Sequence, residues 1–469
     1  MNALFQRCGA RSIIPACNPA PHRGQAAALR LAALAVLLVV LWAIPGRALT
    51  LSLIRDAEIE HALRELTRPI ANAAGVSSGA LDVYIINDSS MNAFVLDGQT
   101  VMIHSGLILR LDRAEHLQAV IAHELAHITG GHLTRRMANL RGARGVAAMG
   151  LLLSTAVAAG GNGQAAAGLA IGTQSSAQRV FFGHTRAEEA SADQAGIRYM
   201  ARAGIDPHAM VEVLDLFRGQ EALNVGRQDP YVRTHPLTSE RLRAMRGYAA
   251  AYADRARDDP QADYWFARAR GKLGAFLQNP RYTLRRVDAR DDSSVALMQR
   301  AVAYHRMPDT EQALAHMRAL EAKRPNDPYV QELKGQILLE SRRFGAAVQA
   351  YARAVSLAPK EPLILAGHGR ALLAVNTASS NRQALAALER ARSRDPYDPR
   401  MLRDLAVAYA RADNKGMASV ATAERYAITG QMDTAAIHAQ RAMGLVPRGA
   451  PGWLRAQDVL SAAEKAKRR

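Results

Sequence analysis

The feature that most restricts the fold is a periodicity in the last third of the chain. Pro325 and Pro359 are 34 residues apart, and Pro396 follows after another 37. Small or aromatic residues recur at matching places between prolines: Ala301, Tyr304, Ala313, Gly335, Ala347, Tyr351, Ala354, Gly369, Ala384 and Ala391. A last unit, which ends at Pro447, carries Ala423, Tyr426 and Ala442 in register. Because small residues let helices cross closely and proline ends a helix, this period predicts stacked helix pairs.

This pattern resembles the tetratricopeptide repeat, and the resemblance implies an all-α solenoid over residues 285–469. Such an array forms a concave surface that binds peptides or partner proteins. The alternative is an irregular, alanine-rich helical domain with prolines between its helices. In neither case do the residues identify the bound partner.

The first fifty residues have the composition of an export signal. Residues 1–30 hold four arginines and no acidic residue, and 31–44 is an unbroken apolar run. A helix of that length spans about 21 Å, less than the roughly 30 Å of a hydrocarbon core. We therefore predict a secretory signal peptide at 1–48, and an uncleaved anchor at 31–44 is the alternative. Cys8 and Cys17 are the only cysteines, so the mature chain would contain none, which suits the bacterial periplasm.

The formal net charge of the chain is +18. Such an excess could suit nucleic acid or an anionic membrane surface. The basic residues are spread along the chain, however, and they form no recognisable nucleic-acid motif. Export would also separate the protein from nucleic acid, so we expect no nucleic-acid partner.

Between the leader and the repeats, the apolar spacing predicts an α+β domain at 49–265, followed by a linker at 266–284. The predicted elements are helices at 56–74, 114–140 and 188–200, a strand at 81–86 and a hairpin at 94–103. The hairpin prediction rests on the Asp97-Gly98 turn between two apolar runs. This hairpin could also present an edge strand to an extended substrate.

Residues 145–178 contain no charged residue and are dominated by Gly and Ala. Such a segment is too rich in Gly to form a firm helix by itself. Small-residue helices buried beneath neighbours are one interpretation. A mobile lid, or a surface in peripheral contact with the membrane, is the other.

The chemistry is concentrated in His123-Glu124-Leu125-Ala126-His127, inside the predicted helix at 114–140. Residues four apart share one face of a helix, so both imidazoles can bind the same metal ion. Neutral imidazole nitrogens suit zinc, and Glu124 lies beside them to accept a proton from water. His132 lies off this spacing, so we expect it to be a surface or packing histidine.

A catalytic zinc needs a third protein ligand and keeps one position open. Glu189 follows His127 by 62 residues and lies four residues before Asp193 on a predicted helix. One carboxylate can bind the metal while the other hydrogen-bonds a ligand histidine, and the spacing leaves their order open. An acidic pair on a helix is usually solvated surface, but the small apolar neighbours and the upstream histidine pair favour a buried site.

Several short motifs then occur in a specific order: Asn92-Ala93-Phe94, His104-Ser105-Gly106-Leu107, His123–His127, Glu189–Asp193 and His235-Pro236-Leu237. In this order they resemble the M48 family of zinc metallopeptidases, which have an α+β zincin-like core. The paired glycines Gly130-Gly131 do not continue the motif into the three-histidine pattern of the metzincins.

The resemblance implies a role for each matching residue. His123, His127 and Glu189 bind one zinc ion, Glu124 is the catalytic acid and base, and Asp193 supports the site. His235 lies close to the metal, where it blocks the open position or assists catalysis. A loop residue before a helix-initiating proline is the plainer interpretation of His235. Arg241 matches a trailing arginine whose role stays open.

Two classes of function follow from the resemblance. In the first, the chain is a zinc endopeptidase of the periplasm that degrades misfolded or misassembled outer-membrane proteins. In the second, it is an assembly factor whose repeats dock a partner, with the beta-barrel assembly machinery as the implied partner. The protease would then stay dormant, blocked by His235 or by 145–178, until that partner binds.

Overall fold

The structure, a computed structural model, describes residues 52–135, 186–223 and 227–468. The predicted signal peptide at 1–48 and the uncharged segment at 145–178 lie outside these ranges. No helix within the described ranges is both long enough and apolar enough to cross a membrane.

A four-stranded sheet forms the β part of the fold, in the order β1-β2-β4-β3. Its strands are β1 (Leu53–Ile54), β2 (Asp82–Ile86), β3 (Ala93–Val95) and β4 (Thr100–His104). β2 and β4 run parallel, with Asp82 opposite Thr100, whereas β3 and β4 form an antiparallel hairpin with Phe94 opposite Met102. The predicted strand and hairpin are thus confirmed. Within the hairpin, β3 is the edge strand and β4 is internal, so only β3 could receive an added strand.

The helices around the sheet are α1 (Ala57–Ala73), α2 (Ser105–Arg110), α3 (Ala114–Thr129), α4 (residues 186–203), α5 (His208–Asp215), α6 (Pro230–Thr234) and α7 (Ser239–Ala250). The Asp56 carboxylate begins α1 by accepting from the backbone N–H groups of Glu58 and Ile59. The predicted stripe of Ile59, Leu63 and Leu66 is buried in the core. The helix at 188–200 is confirmed as part of α4.

α3 is shorter than the helix predicted at 114–140. It ends at Thr129, and Gly131 adopts a left-handed φ of 65°, which residues with a Cβ rarely adopt. A further helical turn begins at His132. The longer helix was predicted because the apolar spacing continues past Gly130 and Gly131, but the conformational freedom of these glycines ends the helix. Residues 136–140 lie outside the described ranges.

The described chain after residue 259 is built of helices. They are α8 (Pro260–Leu277), α9 (Pro280–Arg286), α10 (Ser294–Arg306), α11 (Thr310–Lys323), α12 (Pro328–Glu340), α13 (Phe344–Leu357), α14 (Pro362–Val375), α15 (Ala378–Arg392), α16 (Pro399–Arg411), α17 (Lys415–Ile428), α18 (Met432–Leu445) and α19 (Pro451–Lys467). The prolines of the sequence period follow shortly after α11, α13, α15 and α18, which confirms the helical repeat.

Two aromatic stacks show that the first and last units are equivalent. Tyr304 of α10 stacks on His316 of α11 at 5.4 Å between ring centroids, and Tyr426 of α17 stacks on His438 of α18 at 5.5 Å. The small residues of the period lie where helices cross. A Cβ on Gly335 would lie only 2.7 Å from the ring of Tyr351, and one on Gly369 only 2.5 Å from Cγ of Leu388. α16 stands between the third unit and the last one, and the period did not predict it.

The segment predicted as a linker, 266–284, is helical and lies mostly in α8. Phe266 and Leu273 of α8 belong to the same buried apolar cluster as α1 and the sheet, and Tyr329 and Ile364 of the repeats join that cluster. Apolar residues on α8 therefore make it part of the core rather than an extended connection. Leu51–Arg469 form one compact unit, and the division into domains at 49–265 and 285–469 stays a prediction.

Candidate metal centre

α3 presents His123 and His127 on one buried face. Their Nε2 atoms lie 3.1 Å apart, and both side chains are almost completely buried. The other faces of α3 are held by core residues such as Leu117, Ile121 and Leu125. Because the helix is fixed on those faces, the two imidazoles have little freedom to turn away from each other.

α4 brings a carboxylate to this pair. Glu189 Oε2 lies 3.3 Å from His123 Nε2, and Glu189 Oε1 lies 3.4 Å from His127 Nε2. The approach depends on Gly196, where a Cβ would lie 2.8 Å from Met210 Cε and 3.3 Å from the carbonyl oxygen of Ala122 on α3. A small residue at this crossing therefore lets α4 pack closely enough to α3 to deliver Glu189.

Asp193, one turn further along α4, lies behind the histidine pair. Its Oδ1 is 3.1 Å from His123 Nδ1, so it can accept the proton on that nitrogen. Arg241 of α7 donates two hydrogen bonds to the same carboxylate, at 2.6 and 2.8 Å, and its Nη1 lies 3.2 Å from Glu189 Oε2. The two carboxylates that the sequence left interchangeable are thus distinguished: Glu189 faces both Nε2 atoms and Asp193 faces the back of His123.

His235 follows α6 and completes the cluster. Its Nδ1 lies 3.2 Å from His123 Nε2 and 3.1 Å from Glu189 Oε2. Its Nε2 lies 3.3 Å from the carbonyl oxygen of Ala93, which can only accept, so a proton on Nε2 can be donated to that oxygen. The buried ring of Tyr231 lies 4.7 Å from the His235 ring.

Glu124 lies on the same helix as the histidine pair and is 1% exposed. Among the described residues, neither of its carboxylate oxygens accepts a hydrogen bond. His235 lies beside it, with Nε2 3.4 Å from Glu124 Oε1. A buried carboxylate without hydrogen bonds is costly, and its oxygens could accept a proton or a hydrogen bond from a molecule that enters the site.

The electrostatics keep the acidic groups ionised. Burial alone would raise the pKa of Glu189, but the charges and hydrogen bonds of His235 and His123, with the charge of Arg241, hold that pKa well below its ordinary value. Burial also opposes ionisation of Asp193, and Arg241 outweighs it and lowers the pKa. Negative charge is therefore present beside the imidazoles at neutral pH, as a cation site requires.

His123 and His127 differ in protonation. Burial and the nearby His123 hold the pKa of His127 well below its ordinary value, so that ring is neutral. Burial would also lower the pKa of His123, but Asp193 and Glu189 outweigh it and raise the pKa to about 9. A cation at this position would compete with the proton on His123, because metal ligands bind deprotonated.

The donor geometry fits a small metal ion. His123, His127, Glu189 and His235 each offer one ligand atom, and these four atoms all lie within 4.8 Å of one another. The Nε2 atoms of His123 and His127 lie 3.1 Å apart, and each lies 3.3–3.4 Å from a different oxygen of the Glu189 carboxylate. A tetrahedral ion with bonds of about 2.0–2.1 Å separates its ligands by about 3.3 Å. The two imidazoles and the carboxylate are therefore close enough together to hold such an ion.

Sequence reasoning placed most of this cluster but missed Tyr231, which gave no signal, since a lone tyrosine beside a proline is common. Of the two alternatives expected for His132, surface or packing, the structure favours packing: His132 is 1% exposed and its Nδ1 lies 2.8 Å from His127 Nδ1, a contact that was not predicted. The Gly130-Gly131 pair before His132 was the available signal, because two glycines permit a sharp return of the chain.

Two histidines four apart on a helix, with a glutamate between them and a second glutamate from another helix, form the kind of site found in metalloproteases. Residues 55–249 match the model of peptidase family M48. This similarity makes the chain a metalloprotease, and the matched part is followed by a helical repeat region.

Relatives that carry both parts agree with this assignment. The beta-barrel assembly-enhancing protease of Yersinia pestis is 29% identical over 78% of this chain and 75% of its own. The Escherichia coli (strain K12) protein of the same name is 26% identical over 82% and 78%. The mitochondrial metalloendopeptidase OMA1 of Schizosaccharomyces pombe is 30% identical, over 39% of this chain and 50% of its own.

Among solved structures, a thermophilic TPR protein of Thermus thermophilus is 16% identical and covers 36% of this chain and 100% of its own, with a TM-score of 0.25. So weak a likeness carries no argument. The repeat assignment rests on the helix pairs and their repeated aromatic stacks.

Proposed function

We propose that this chain is a zinc-dependent endopeptidase of the periplasm that acts on misfolded or misassembled outer-membrane proteins. The observation that carries the proposal is the convergence of His123, His127 and Glu189 beside a buried Glu124 that accepts no hydrogen bond from the described residues. The printed names of the relatives that span most of the chain favour an envelope role. The predicted leader at 1–48 favours the periplasm.

Zinc is the metal that this donor set suits best. Two imidazole nitrogens and one carboxylate oxygen are typical protein ligands of catalytic zinc. We assign His123, His127 and Glu189 as its ligands. When bound, zinc supplies a Lewis acid that polarises a peptide carbonyl and makes water acidic enough to attack near neutral pH.

Glu124 moves the proton in this proposal. Its unoccupied oxygens can accept the proton of the attacking water and then pass it to the leaving amine. Asp193 keeps His123 oriented, because it accepts from Nδ1 while Arg241 fixes its own position. The edge strand β3 lies beside the site through Ala93, so an extended peptide that pairs with β3 would pass the cluster.

The test compares Glu124→Gln with wild type in metal content and in casein cleavage. Glutamine keeps the shape of the side chain but cannot accept the proton, so we expect unchanged metal content and a loss of cleavage of at least about 100-fold. Glu240→Gln is the matched control, because Glu240 is exposed on α7. Cleavage by Glu124→Gln at the wild-type rate would remove Glu124 from the mechanism.

A second candidate function is an assembly factor whose protease is dormant. The observation that favours it is His235, whose Nδ1 lies as close to the other donors as they lie to each other. With His235 as a fourth protein ligand, the open position that a catalytic zinc needs would be closed. The repeats would then dock a partner, with the beta-barrel assembly machinery as the proposed one, whose binding withdraws His235.

His235→Ala tests dormancy. If His235 closes the site, this variant should cleave casein faster than wild type without added partner, whereas His208→Ala, at an exposed histidine, should not. Unchanged or lower basal cleavage in His235→Ala would contradict closure by His235 and favour a direct catalytic role for it.

The substrate class needs its own comparison. One outer-membrane β-barrel protein, presented unfolded or folded in detergent micelles, should be cleaved much faster when unfolded, because an extended segment must reach β3 and the cluster. Equal cleavage of both forms, or cleavage of the folded form only, would contradict the proposed preference.

A further inference from the structure

The second ligand histidine has a neighbour that the proposed mechanism does not use. His132 Nδ1 lies 2.8 Å from His127 Nδ1, and the two rings meet edge to face at 4.8 Å between centroids. At this distance one nitrogen donates and the other accepts. His127 Nε2 faces His123 and Glu189 on the opposite side of the ring. His127 is therefore held between the cluster and His132.

The chain makes a specific turn to place His132 there. α3 ends at Thr129, and the left-handed Gly131 reverses the backbone so that His132 returns beneath His127. A Cβ on Gly130 would lie 2.5 Å from His132 Nε2 and 2.9 Å from the carbonyl oxygen of Ala126. Gly130 thus leaves the space that the His132 ring fills, and Gly131 supplies the backbone conformation that brings it there.

The direction of the proton follows from what Nε2 must do. An imidazole that binds a metal through Nε2 offers that lone pair, so its proton lies on Nδ1 and needs an acceptor. For His123 the acceptor is the Asp193 carboxylate, at 3.1 Å. For His127 the atom in the equivalent place is Nδ1 of His132. The two ligand histidines are thus oriented by different groups, one a carboxylate and the other an imidazole.

We propose that His132 is a positioning residue of the metal centre: it accepts the Nδ1 proton of His127 and so fixes the tautomer and the ring angle that aim Nε2 at the metal. Gly130 and Gly131 allow the backbone turn that places the His132 ring beside His127. This inference rests on the proposed function, because it assumes that His127 binds the metal. A histidine that merely fills space would also be buried, so the test must separate hydrogen bonding from packing.

The experiment measures the affinity of the purified, metal-stripped chain for Zn²⁺ by competition with a chromophoric chelator. His132→Ala should bind Zn²⁺ about 10–100-fold more weakly than wild type, the range for loss of such a supporting contact. His132→Asn should recover most of that loss, because its Oδ1 can take the place of imidazole Nδ1. Gly130→Ala should also weaken binding, since the new Cβ occupies the place of the His132 ring.

The possible results distinguish a failure of this inference from a failure of the proposed metal centre. Equal Zn²⁺ affinity for wild type and His132→Ala would overturn the inference while leaving the proposed function intact. If His132→Asn binds as weakly as His132→Ala, and both unfold at lower temperature than wild type without metal, His132 only packs. If wild type and a His123→Ala variant bind Zn²⁺ equally, the proposed metal centre itself fails. The absorption spectrum of the Co²⁺ form gives a second reading of ligand geometry that packing alone would not shift.

Discussion

A buried charge cluster where α8 meets α1 and the repeats gives the most quantitative prediction. Lys272 of α8 is completely buried, and its Nζ lies 2.9 Å from Asp56, 3.2 Å from Glu58 and 3.6 Å from Glu332. Arg268 is the other cation, and it pairs with Glu58 and with Asp327 of the repeats. Four carboxyl groups thus share two cations, so one of them should ionise reluctantly.

Glu332 is that group, because it is the most distant of the three carboxyl groups paired with Lys272 and its Oε2 accepts no hydrogen bond from the described residues. Burial, together with the charges of Asp56 and Glu58, raises the pKa of Glu332 from its ordinary 4.5 to about 7, although Lys272 acts in the opposite direction. The folded chain therefore keeps a proton on Glu332 that the unfolded chain loses above pH 4.5.

The sign and size of the pH effect on stability follow from this difference in the pKa of Glu332 between the folded and unfolded chain. Between pH 4.5 and about 7 the folded state binds more protons than the unfolded state, so stability falls as pH rises through this window. At about 1.4 kcal/mol per pKa unit, the loss amounts to roughly 3 kcal/mol once the pH is well above 7. Below pH 4.5 both states are protonated and the effect vanishes.

Glu332→Gln removes the titration and keeps the size of the side chain. The free energy of unfolding of this variant, minus that of wild type, should grow by about 2–3 kcal/mol between pH 5 and pH 8. Urea denaturation at several pH values measures this difference, and the pH effects of other groups cancel in it. Glu240→Gln is the control and should show a constant difference. A difference for Glu332→Gln that does not change with pH would refute the reasoning.

Two further predictions concern packing and buried charge. Gly367→Ala should destabilise the repeats by about 1–3 kcal/mol, because its Cβ would lie 2.4 Å from Tyr351. Gly345→Ala is the control and should not destabilise them, because the space around Gly345 is open. Equal changes in the melting temperature of the two variants would contradict the close helix crossing at Gly367. Arg241→Gln should cost up to about 3–5 kcal/mol in urea denaturation of the metal-free chain, because it removes the guanidinium and its two hydrogen bonds from the buried Asp193 carboxylate and leaves only His123 beside it. An unchanged midpoint would contradict a stabilising role for the pair of Arg241 and Asp193.

Local periodicity and spacing predicted much of the structure. The stripe of Ile59, Leu63 and Leu66 predicted α1, and the proline period predicted the helix pairs of the repeats. For the site, spacing put His123 and His127 on one face and Glu189 and Asp193 on another helix. The structure brings these two faces to 3.3–3.4 Å, a convergence that helical spacing alone could suggest but not establish.

The remaining features depend on long-range packing that spacing does not encode. Gly196 sets the approach of α4 to α3 through atoms of Met210 and Ala122, which are distant in sequence. The sequence of 266–284 did not indicate that this segment belongs to the core, yet α8 buries Phe266 and Leu273 against elements from both halves of the chain. The contact of His132 with His127 was not predicted, because the predicted helix was continued through Gly130-Gly131, where the backbone turns.

The central claim is that His123, His127 and Glu189 hold one metal ion, and its location tests that claim most directly. Crystals of the chain grown with Zn²⁺ should give one strong anomalous peak at the zinc edge. We predict that this peak lies about 2.0–2.2 Å from Nε2 of His123, Nε2 of His127 and a carboxylate oxygen of Glu189. A peak bound by other residues, or no peak at these three, would contradict the account.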